Sequence, residues 1–321
     1  MDCGVRHYGY DNVKGILILC VVFGHFLELC PSTPLKNTLY LVIYSFHMPA
    51  FLFFSGFFAK FDSGRIRQLA VLYGIFQVLY RVFAYFSLHT TGALEPGAVL
   101  FVPYWLLWYI PVLICCQLLL PLWTRRNARQ KQFLLIGSVC IALLCGYCSQ
   151  IGYGLTLSRF LVFLPFYLAG NLAGTHRRRI STPAPRLCRI FPVLATLVFV
   201  SIVFLCKSGL FSAKMLYGSY SYAIGYHPGI RLLAMGIAAG WIALFSILAD
   251  SILNRVIPVL TYIGKNTLPI YLFHGFIVKY IGTYFPPIPL HAAFICSAAA
   301  ITILGNPAAV QLFKQILPAS K

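Results

Sequence analysis

Acidic residues are scarce in this chain of 321 residues, which contains 6 Asp and Glu residues against 25 Lys and Arg residues. Asp2, Asp62, Glu95 and Asp250 fall at the N-terminus or in predicted loops. A glycosidase places two carboxylates across the bond that it cleaves, so this composition argues against glycoside hydrolysis. The chain also lacks an HExxH motif, a phosphate-binding glycine loop and a nucleophile elbow, which argues against the enzyme classes that those motifs define.

Charged residues of both signs are few, since 10% of the chain is charged and 60% is hydrophobic. Apolar runs of about 17–23 residues recur along the whole sequence, and a helix needs this length to cross a bilayer. We therefore predict an all-α, polytopic membrane protein that forms a single domain over residues 1–321, with about ten transmembrane helices. The predicted spans lie at approximately 13–30, 38–59, 66–88, 101–123, 133–149, 157–175, 190–206, 229–249, 267–285 and 289–306. Residues 1–12 form a short N-terminal segment, and residues 307–321 form a tail at the membrane interface.

The net charge of +19 is concentrated in alternate loops and at the termini. By the positive-inside rule, this distribution predicts that both termini are cytoplasmic. As its location we predict the cell (inner or plasma) membrane. The basic loops would contact anionic membrane lipids, and their alternation argues against a nucleic-acid partner. The 11 cysteines lie almost entirely in apolar runs and are interpreted as packing residues. Because no two histidines share an i,i+4 spacing, we predict no metal site.

Some basic residues nevertheless lie inside predicted spans, namely Lys14, Arg81, Arg159, Arg231 and Lys279. A charge at the centre of a bilayer costs about 2.5–3.5 kcal/mol on insertion scales, so such residues usually face a polar cavity. The alternative is that their side chains extend to the headgroups, which suits Arg159 and Arg231 near the ends of their spans. The pattern indicates a polar vestibule that opens to the outer side.

The first span contains a polar stripe within "DNVKGILILCVVFGH". Lys14 and His25 are separated by about three helical turns, so they share one face at a distance of about 16 Å along the axis. Asp11 lies three residues before Lys14, and Glu28 lies three residues after His25, so each pair is in contact range. We therefore predict an acid–base pair near the cytoplasm and a His–Glu pair towards the outside.

Two further spans carry histidines at a similar depth. His47 lies in "SFHMPAFLFFSGFF", where Pro49 is expected to loosen the helix, and His274 lies in "GKNTLPIYLFHGF" together with Tyr271. Each histidine alone is as readily explained as a core residue, but together they favour a site. Histidine acts as a general base or a nucleophile at neutral pH, so the residues indicate group transfer in a membrane cavity.

Five segments, "DNVKGILILCVVFGH", "SFHMPAFLFFSGFF", "VPYWLLWYIPVL", "SRFLVFLPFYLAG" and "LTYIGKNTLPIYLFH", occur in this order. With the predicted layout of spans, they resemble the acyltransferase 3 family of integral membrane acyltransferases, and most closely its fucose 4-O-acetylase-like branch. The resemblance implies that an acyl group, usually acetyl, passes from cytoplasmic acyl-CoA to a hydroxyl of a glycan on the outer side. It implies that His25 is the catalytic residue. Lys14 stands where many members of the family carry an arginine.

The remaining candidates take roles around this histidine. Glu28 would orient the imidazole, and His47, Tyr271 or His274 would donate hydrogen bonds to the developing oxyanion. Lys14 is a candidate at the donor phosphates, and Asp11, Arg81 and Arg231 are further candidates for binding substrate. Trp108 offers a face for stacking a sugar, or else belongs to an aromatic belt at the interface. The alternative function is a secondary transporter of a glycan or another small solute, because buried charges and broken helices suit both classes.

Overall fold

The computed structural model describes residues 8–148, 151, 154–177, 193, 195–198, 200–201, 216, 222 and 227–316. Within these residues the fold is helical and contains no strand. The main helices, in chain order, are α1 Gly9–Leu27, α2 Pro34–Tyr44, α3 His47–Phe57, α4 Ser63–Ser87, α5 Pro96–Phe101, α6 Tyr109–Thr124, α7 Ala128–Leu144, α8 Leu157–Arg177, α9 Pro228–Asp250, α10 Pro258–Lys265, α11 Thr267–Tyr284, α12 Leu290–Leu304 and α13 Pro307–Ile316. A 3₁₀ turn, Trp105–Trp108, leads directly into α6.

Seven helical stretches in the described part of the chain are long and apolar enough to cross a membrane. They are Gly9–Leu27, Pro34–Phe57, Ser63–Ser87, Trp105–Thr124, Ala128–Tyr147, Gly154–His176 and Pro228–Asp250. The bent pair Leu290–Leu304 and Pro307–Gln315, with an angle of 55°, gives an eighth if it acts as one span. The all-α, polytopic fold is thus confirmed, while the number of ten spans and the sides of the termini stay predictions. The predicted seventh span, 190–206, and the end of the tail, 317–321, lie largely or wholly outside the described residues.

The second span is broken between α2 and α3, at Ser45–Phe46, where Phe46 has φ −137° and ψ −29°. The sequence predicts a weak point at Pro49, and the break lies one helical turn before it, at Ser45, whose carbonyl residue 49 would bond in an unbroken helix but proline cannot. The break therefore comes before the proline. Beside the break, the Ile43 carbonyl accepts from the Phe46 backbone N–H at 3.2 Å and from Nδ1 of His47 at 2.8 Å. The bond from Nδ1 fixes the His47 ring.

Helices α3 and α8 approach each other closely because small residues face the contact. A Cβ atom added to Gly56 would overlap the Tyr167 carbonyl, and one added to Gly170 would overlap the Phe53 carbonyl. Gly174, one helical turn after Gly170, is in the same position against α3. Membrane helices use such small-residue spacings to bring their backbones together. The contact holds His47 on α3 against the helix that carries Arg159.

Helix α1 is enclosed by its neighbours and packs against α2, α3, α9, α10, α11 and α12. Near its N-terminal end it is anchored by Asn12, which is fully buried and donates from Nδ2 to the carbonyls of Leu253 and Arg255, each at 2.8 Å. The Thr261 hydroxyl donates to Oδ1 of Asn12 at 2.6 Å. Because the amide is fully satisfied, α1 is fixed in rotation, and its polar stripe faces the interior.

Candidate active site

A cavity of about 170 Å³, which we call the histidine cavity, lies at the C-terminal end of α1. It is lined by Val21, His25, Glu28, Tyr40, Tyr44, His47, Met48, Trp105, Leu106, Trp108, Arg159 and Tyr271. Five of the predicted site residues, His25, Glu28, His47, Trp108 and Tyr271, therefore share one cavity although they lie on four separate segments of the chain. His274 lies behind His25.

His25 is held by two oxygen atoms on one side of its ring. Its Nδ1 atom lies 3.3 Å from Oε1 of Glu28 and 3.3 Å from the hydroxyl of Tyr44. The Tyr44 hydroxyl also donates a hydrogen bond to the Glu28 carboxylate. The predicted His–Glu contact is confirmed, and Tyr44 is an addition that the sequence pattern did not indicate. With Nδ1 directed at these groups, Nε2 is the nitrogen left for the reacting atoms.

His274 is fully buried, and its ring stacks against that of His25 with centroids 5.5 Å apart. Its Nδ1 atom lies 3.0 Å from the Ile270 carbonyl, so Nδ1 carries the hydrogen. Its Nε2 atom has no hydrogen-bond partner within the described structure. Neutral His274 therefore offers an acceptor at Nε2. The sequence predicts that His274 donates a hydrogen bond to an oxyanion. For that role, Nε2 would first have to gain a proton.

His47 completes a histidine cluster around Tyr44. It is 3% exposed, and its ring meets that of Tyr44 edge-on at 4.7 Å. Its bond to Ile43 places the hydrogen on Nδ1 here as well. Across residues 8–148, 154–177 and 227–316 and the short pieces between them, no group of three or more His, Cys, Asp or Glu side chains is arranged to hold a metal ion.

Two tryptophans line the histidine cavity, and a cation lies over each. Nζ of Lys279 is 4.4 Å from the Trp105 ring centroid, and the Arg159 guanidinium is 4.9 Å from that of Trp108. Trp105 also contacts the His25 ring edge-on at 4.6 Å. Trp108 is 7% exposed, so it lies inside the helix bundle and not in a lipid-facing aromatic belt. The two indoles therefore give the cavity an aromatic wall with positive charge beside it.

A second cavity of about 290 Å³, the basic cavity, lies towards the N-terminal end of α1. Its polar lining includes Lys14, Arg65 and Lys265, and Nζ of Lys14 pairs with Asp11 at 2.8 Å as predicted. In the sequence, Arg65 and Lys265 belong to the basic loops, which predict membrane topology and contact with anionic lipids. Their convergence depends on α1, α4 and α10 lining the same cavity, which local sequence does not reveal.

The two cavities meet at a thin wall. Val21, Met48 and Tyr271 line both of them. The Tyr271 hydroxyl donates to the Leu106 carbonyl, which ties the wall to the turn that carries the two tryptophans. A single layer of side chains thus separates the basic cavity from His25.

Arg81 and Arg231 lie elsewhere. Arg81 donates from Nη2 to the carbonyls of Ala98 and Val102, at 2.8 and 2.6 Å, and so ties α4 to α5. Arg231 is fully buried and donates from Nη1 to the Ala142 carbonyl at 2.8 Å. Neither lines the histidine or the basic cavity. Their contacts hold helices together, and their proposed role in binding substrate stays a prediction.

Comparison with known proteins adds to this geometry. The sequence model of a family described as an acyltransferase domain matches residues 7–306. The chain belongs to the acyltransferase 3 family. It is also similar to the nodulation protein NolL of Sinorhizobium fredii, with 31% identity over 158 residues, which span 43% of this chain and 42% of that protein. The chain therefore matches less than half the length of this relative, and no solved structure matches it.

Proposed function

We propose that this protein is a membrane O-acyltransferase that moves acetyl from cytoplasmic acetyl-CoA to a hydroxyl of a cell-surface or lipid-linked glycan. The observation that carries the proposal is the pair of cavities along α1, which share Val21, Met48 and Tyr271 as lining residues. A donor and an acceptor that approach from opposite sides of a membrane need such an arrangement. Membership of the acyltransferase 3 family supports the same chemistry.

The basic cavity suits the donor. Coenzyme A carries phosphates at one end and the thioester at the end of a narrow arm. Lys14, Arg65 and Lys265 would meet the phosphates on the side where the positive-inside rule places the cytoplasm. Asp11 would hold Lys14 in position through its ion pair. The thioester would then reach the wall and come close to His25.

In the proposed reaction, His25 takes the proton of the acceptor hydroxyl through Nε2 as the oxygen attacks the thioester carbon. The new C–O bond forms, the C–S bond breaks, and His25 returns the proton to the departing CoA thiolate. Glu28 and Tyr44 hold Nδ1 and stabilise the imidazolium that forms in between. Transfer through an acetyl-histidine is the variant of this mechanism. The acceptor sugar would lie against Trp105 and Trp108.

The test uses inverted membrane vesicles, which expose the cytoplasmic face, and right-side-out vesicles from the same cells. Both receive acetyl-CoA labelled in the acetyl group, and label is followed into base-labile ester on glycan. We expect transfer in inverted vesicles only, with a loss of about 10²–10⁴-fold in His25→Ala, the usual contribution of a general base. His291→Ala, an exposed histidine on α12, is the matched control.

Equal transfer by wild type and His25→Ala would remove His25 from the mechanism. Transfer from the outer face would contradict the assignment of the basic cavity to the donor. If neither vesicle forms labelled ester but solute uptake depends on His25, the transporter alternative replaces this proposal.

A further inference from the structure

A third concavity of about 580 Å³ lies apart from both cavities, between α6, α7 and α8. We call it the α6–α8 groove. Its walls are almost entirely apolar and include Ile141, Leu164 and Leu168, with Arg126 and Gln130 at one end. None of the site residues described above lines it.

The few polar atoms in this groove are mostly bonded within the protein. The Ser138 hydroxyl donates to the Leu135 carbonyl at 2.7 Å, and the indole N–H of Trp123 donates to Oδ1 of Asn171 at 3.0 Å. Oε1 of Gln130 accepts from the Asn127 backbone in the cap of α7. Arg126 is thus the cationic group that the groove presents at its mouth. The remainder of the groove suits hydrocarbon.

The dimensions match one leaflet of a bilayer. From Gln130 to Ile141 the groove follows α7 for eleven residues, or about 16 Å at 1.5 Å per residue. Half of the hydrocarbon core of a bilayer is about 15 Å thick. Gly137 lies midway along this wall, and a Cβ atom added there would meet nothing within 4 Å. A single acyl chain therefore fits the groove lengthwise.

The charge at the mouth is positive and uncompensated. The turn between α6 and α7 and the start of α7 carry Arg125, Arg126, Arg129 and Lys131. In the part of the chain that is described, the ion pairs formed are Asp11–Lys14 and His25–Glu28, so none of these four cations pairs with a carboxylate. Arg129 and Lys131 lie over the rings of Phe133 and Trp123. A phosphate at Arg126 would supply the missing negative charge.

We propose that the α6–α8 groove is a specific binding site for an anionic glycerophospholipid of the leaflet at the α6–α7 turn. The phosphate lies at Arg126, and one acyl chain runs along Gly137 to Ile141. A zwitterionic lipid fills the same groove without balancing the charge, so the site prefers an anionic headgroup. Since α8 carries both Leu164 and Arg159, the bound lipid braces the helix that reaches the histidine cavity.

The test is lipid retention, which does not depend on catalytic activity. Purified protein is placed in nanodiscs of phosphatidylethanolamine with 20% phosphatidylglycerol, extracted again with mild detergent, and examined by native mass spectrometry. We expect wild type to retain one phosphatidylglycerol per chain, with an enrichment of about fivefold or more over phosphatidylethanolamine. Gly137→Leu fills the groove and loses the retained lipid, whereas Arg126→Gln retains lipid but loses the headgroup preference.

Matched controls separate the site from general membrane properties. Gly74→Leu makes the same change at another open glycine on α4, and Arg255→Gln removes an exposed cation outside the groove. Both controls keep the retention of wild type. Equal retention in Gly137→Leu and Gly74→Leu, or equal retention of the two lipids by wild type, overturns the proposal.

Discussion

The imidazole rings of His25 and His274 are stacked, with centroids 5.5 Å apart and planes inclined by 29°. The two residues come from α1 and α11, which are far apart in sequence, and His274 is completely buried. Its Nδ1 atom is committed to the Ile270 carbonyl, while Nε2 has no partner in the described part of the chain. Burying an unpaired nitrogen is costly, so this arrangement points to a role beyond packing.

His274→Phe tests that role because phenylalanine keeps a ring of similar size beside His25 and removes the nitrogen. We expect labelled-ester formation to fall about tenfold or more, because the substitution removes the nitrogen Nε2 that is available to bond a substrate group beside His25. Transfer rates from acetyl-CoA would be compared with those of His291→Phe, which changes an exposed histidine on α12. Full activity in His274→Phe would show that the residue only packs against His25.

Tyr44→Phe removes the hydroxyl that contacts both His25 and Glu28. A hydrogen bond to a charged group contributes about 1.5–3 kcal/mol, so we expect kcat to fall about tenfold or more. KM for acetyl-CoA should stay unchanged, because Tyr44 does not line the basic cavity. If Tyr44 only stabilises the fold, Tyr44→Phe would instead reduce the amount of folded protein and leave kcat per folded molecule unchanged.

The control for this change is Tyr284→Phe. Tyr284 also donates a hydrogen bond, to the Ser87 carbonyl at 2.5 Å, but it lies outside both cavities. Its loss should leave kcat as in wild type. A rise in KM in Tyr44→Phe with constant kcat would place Tyr44 in donor binding and contradict its role beside His25.

Sequence reasoning succeeded where the geometry is local. The contacts Asp11–Lys14 and His25–Glu28 follow from the i,i+3 spacing of one helix and are present as predicted. Tyr44 could not be found in this way, because its position depends on the break after α2. The break itself agrees with the weakening expected from Pro49, because a proline cannot bond to the carbonyl four residues before it, which here is that of Ser45.

Contacts between segments that are distant in sequence explain why Arg81 and Arg65 lie in surroundings that the sequence does not predict. A buried arginine signals a polar partner, and for Arg81 that partner is backbone carbonyls at the end of α5. Sequence does not distinguish such carbonyls from a substrate, because every segment carries them. Arg65 is the opposite case. Its place in a basic segment of the sequence predicts membrane topology, but in the structure it lies at the start of α4 and lines the basic cavity.

Met48 forms part of the wall between the cavities, so its size should limit which acyl groups reach His25. Met48→Ala is expected to raise transfer of butyryl relative to acetyl by about tenfold or more, because one methylene is worth about 1–3 kcal/mol in a tight pocket. The measurement is competition between acetyl-CoA and butyryl-CoA, with both esters quantified on the glycan. An unchanged ratio would mean that the acyl group does not pass this wall.

Met235→Ala is the matched control for this change. Met235 is 6% exposed and Met48 is 5% exposed, but Met235 lies on α9 and lines neither cavity. Both substitutions should destabilise the protein by about 2–5 kcal/mol through the space that they leave. A similar shift in acyl preference in both variants would attribute the effect to loosened packing and not to the wall.

Arg65→Gln tests the assignment of the basic cavity to the donor. If Arg65 binds a phosphate of coenzyme A, its loss should raise KM for acetyl-CoA about tenfold and leave kcat nearly unchanged, since the contact is the same before and during the reaction. Added salt should narrow the difference from wild type, because it screens an exposed contact. Arg67→Gln, two residues along α4 and outside the cavity, should retain the KM of wild type. A fall in kcat at constant KM would place Arg65 in the transfer step. Equal rises in KM in Arg65→Gln and Arg67→Gln would mean that the basic surface attracts the anionic donor generally and that Arg65 makes no specific contact with it.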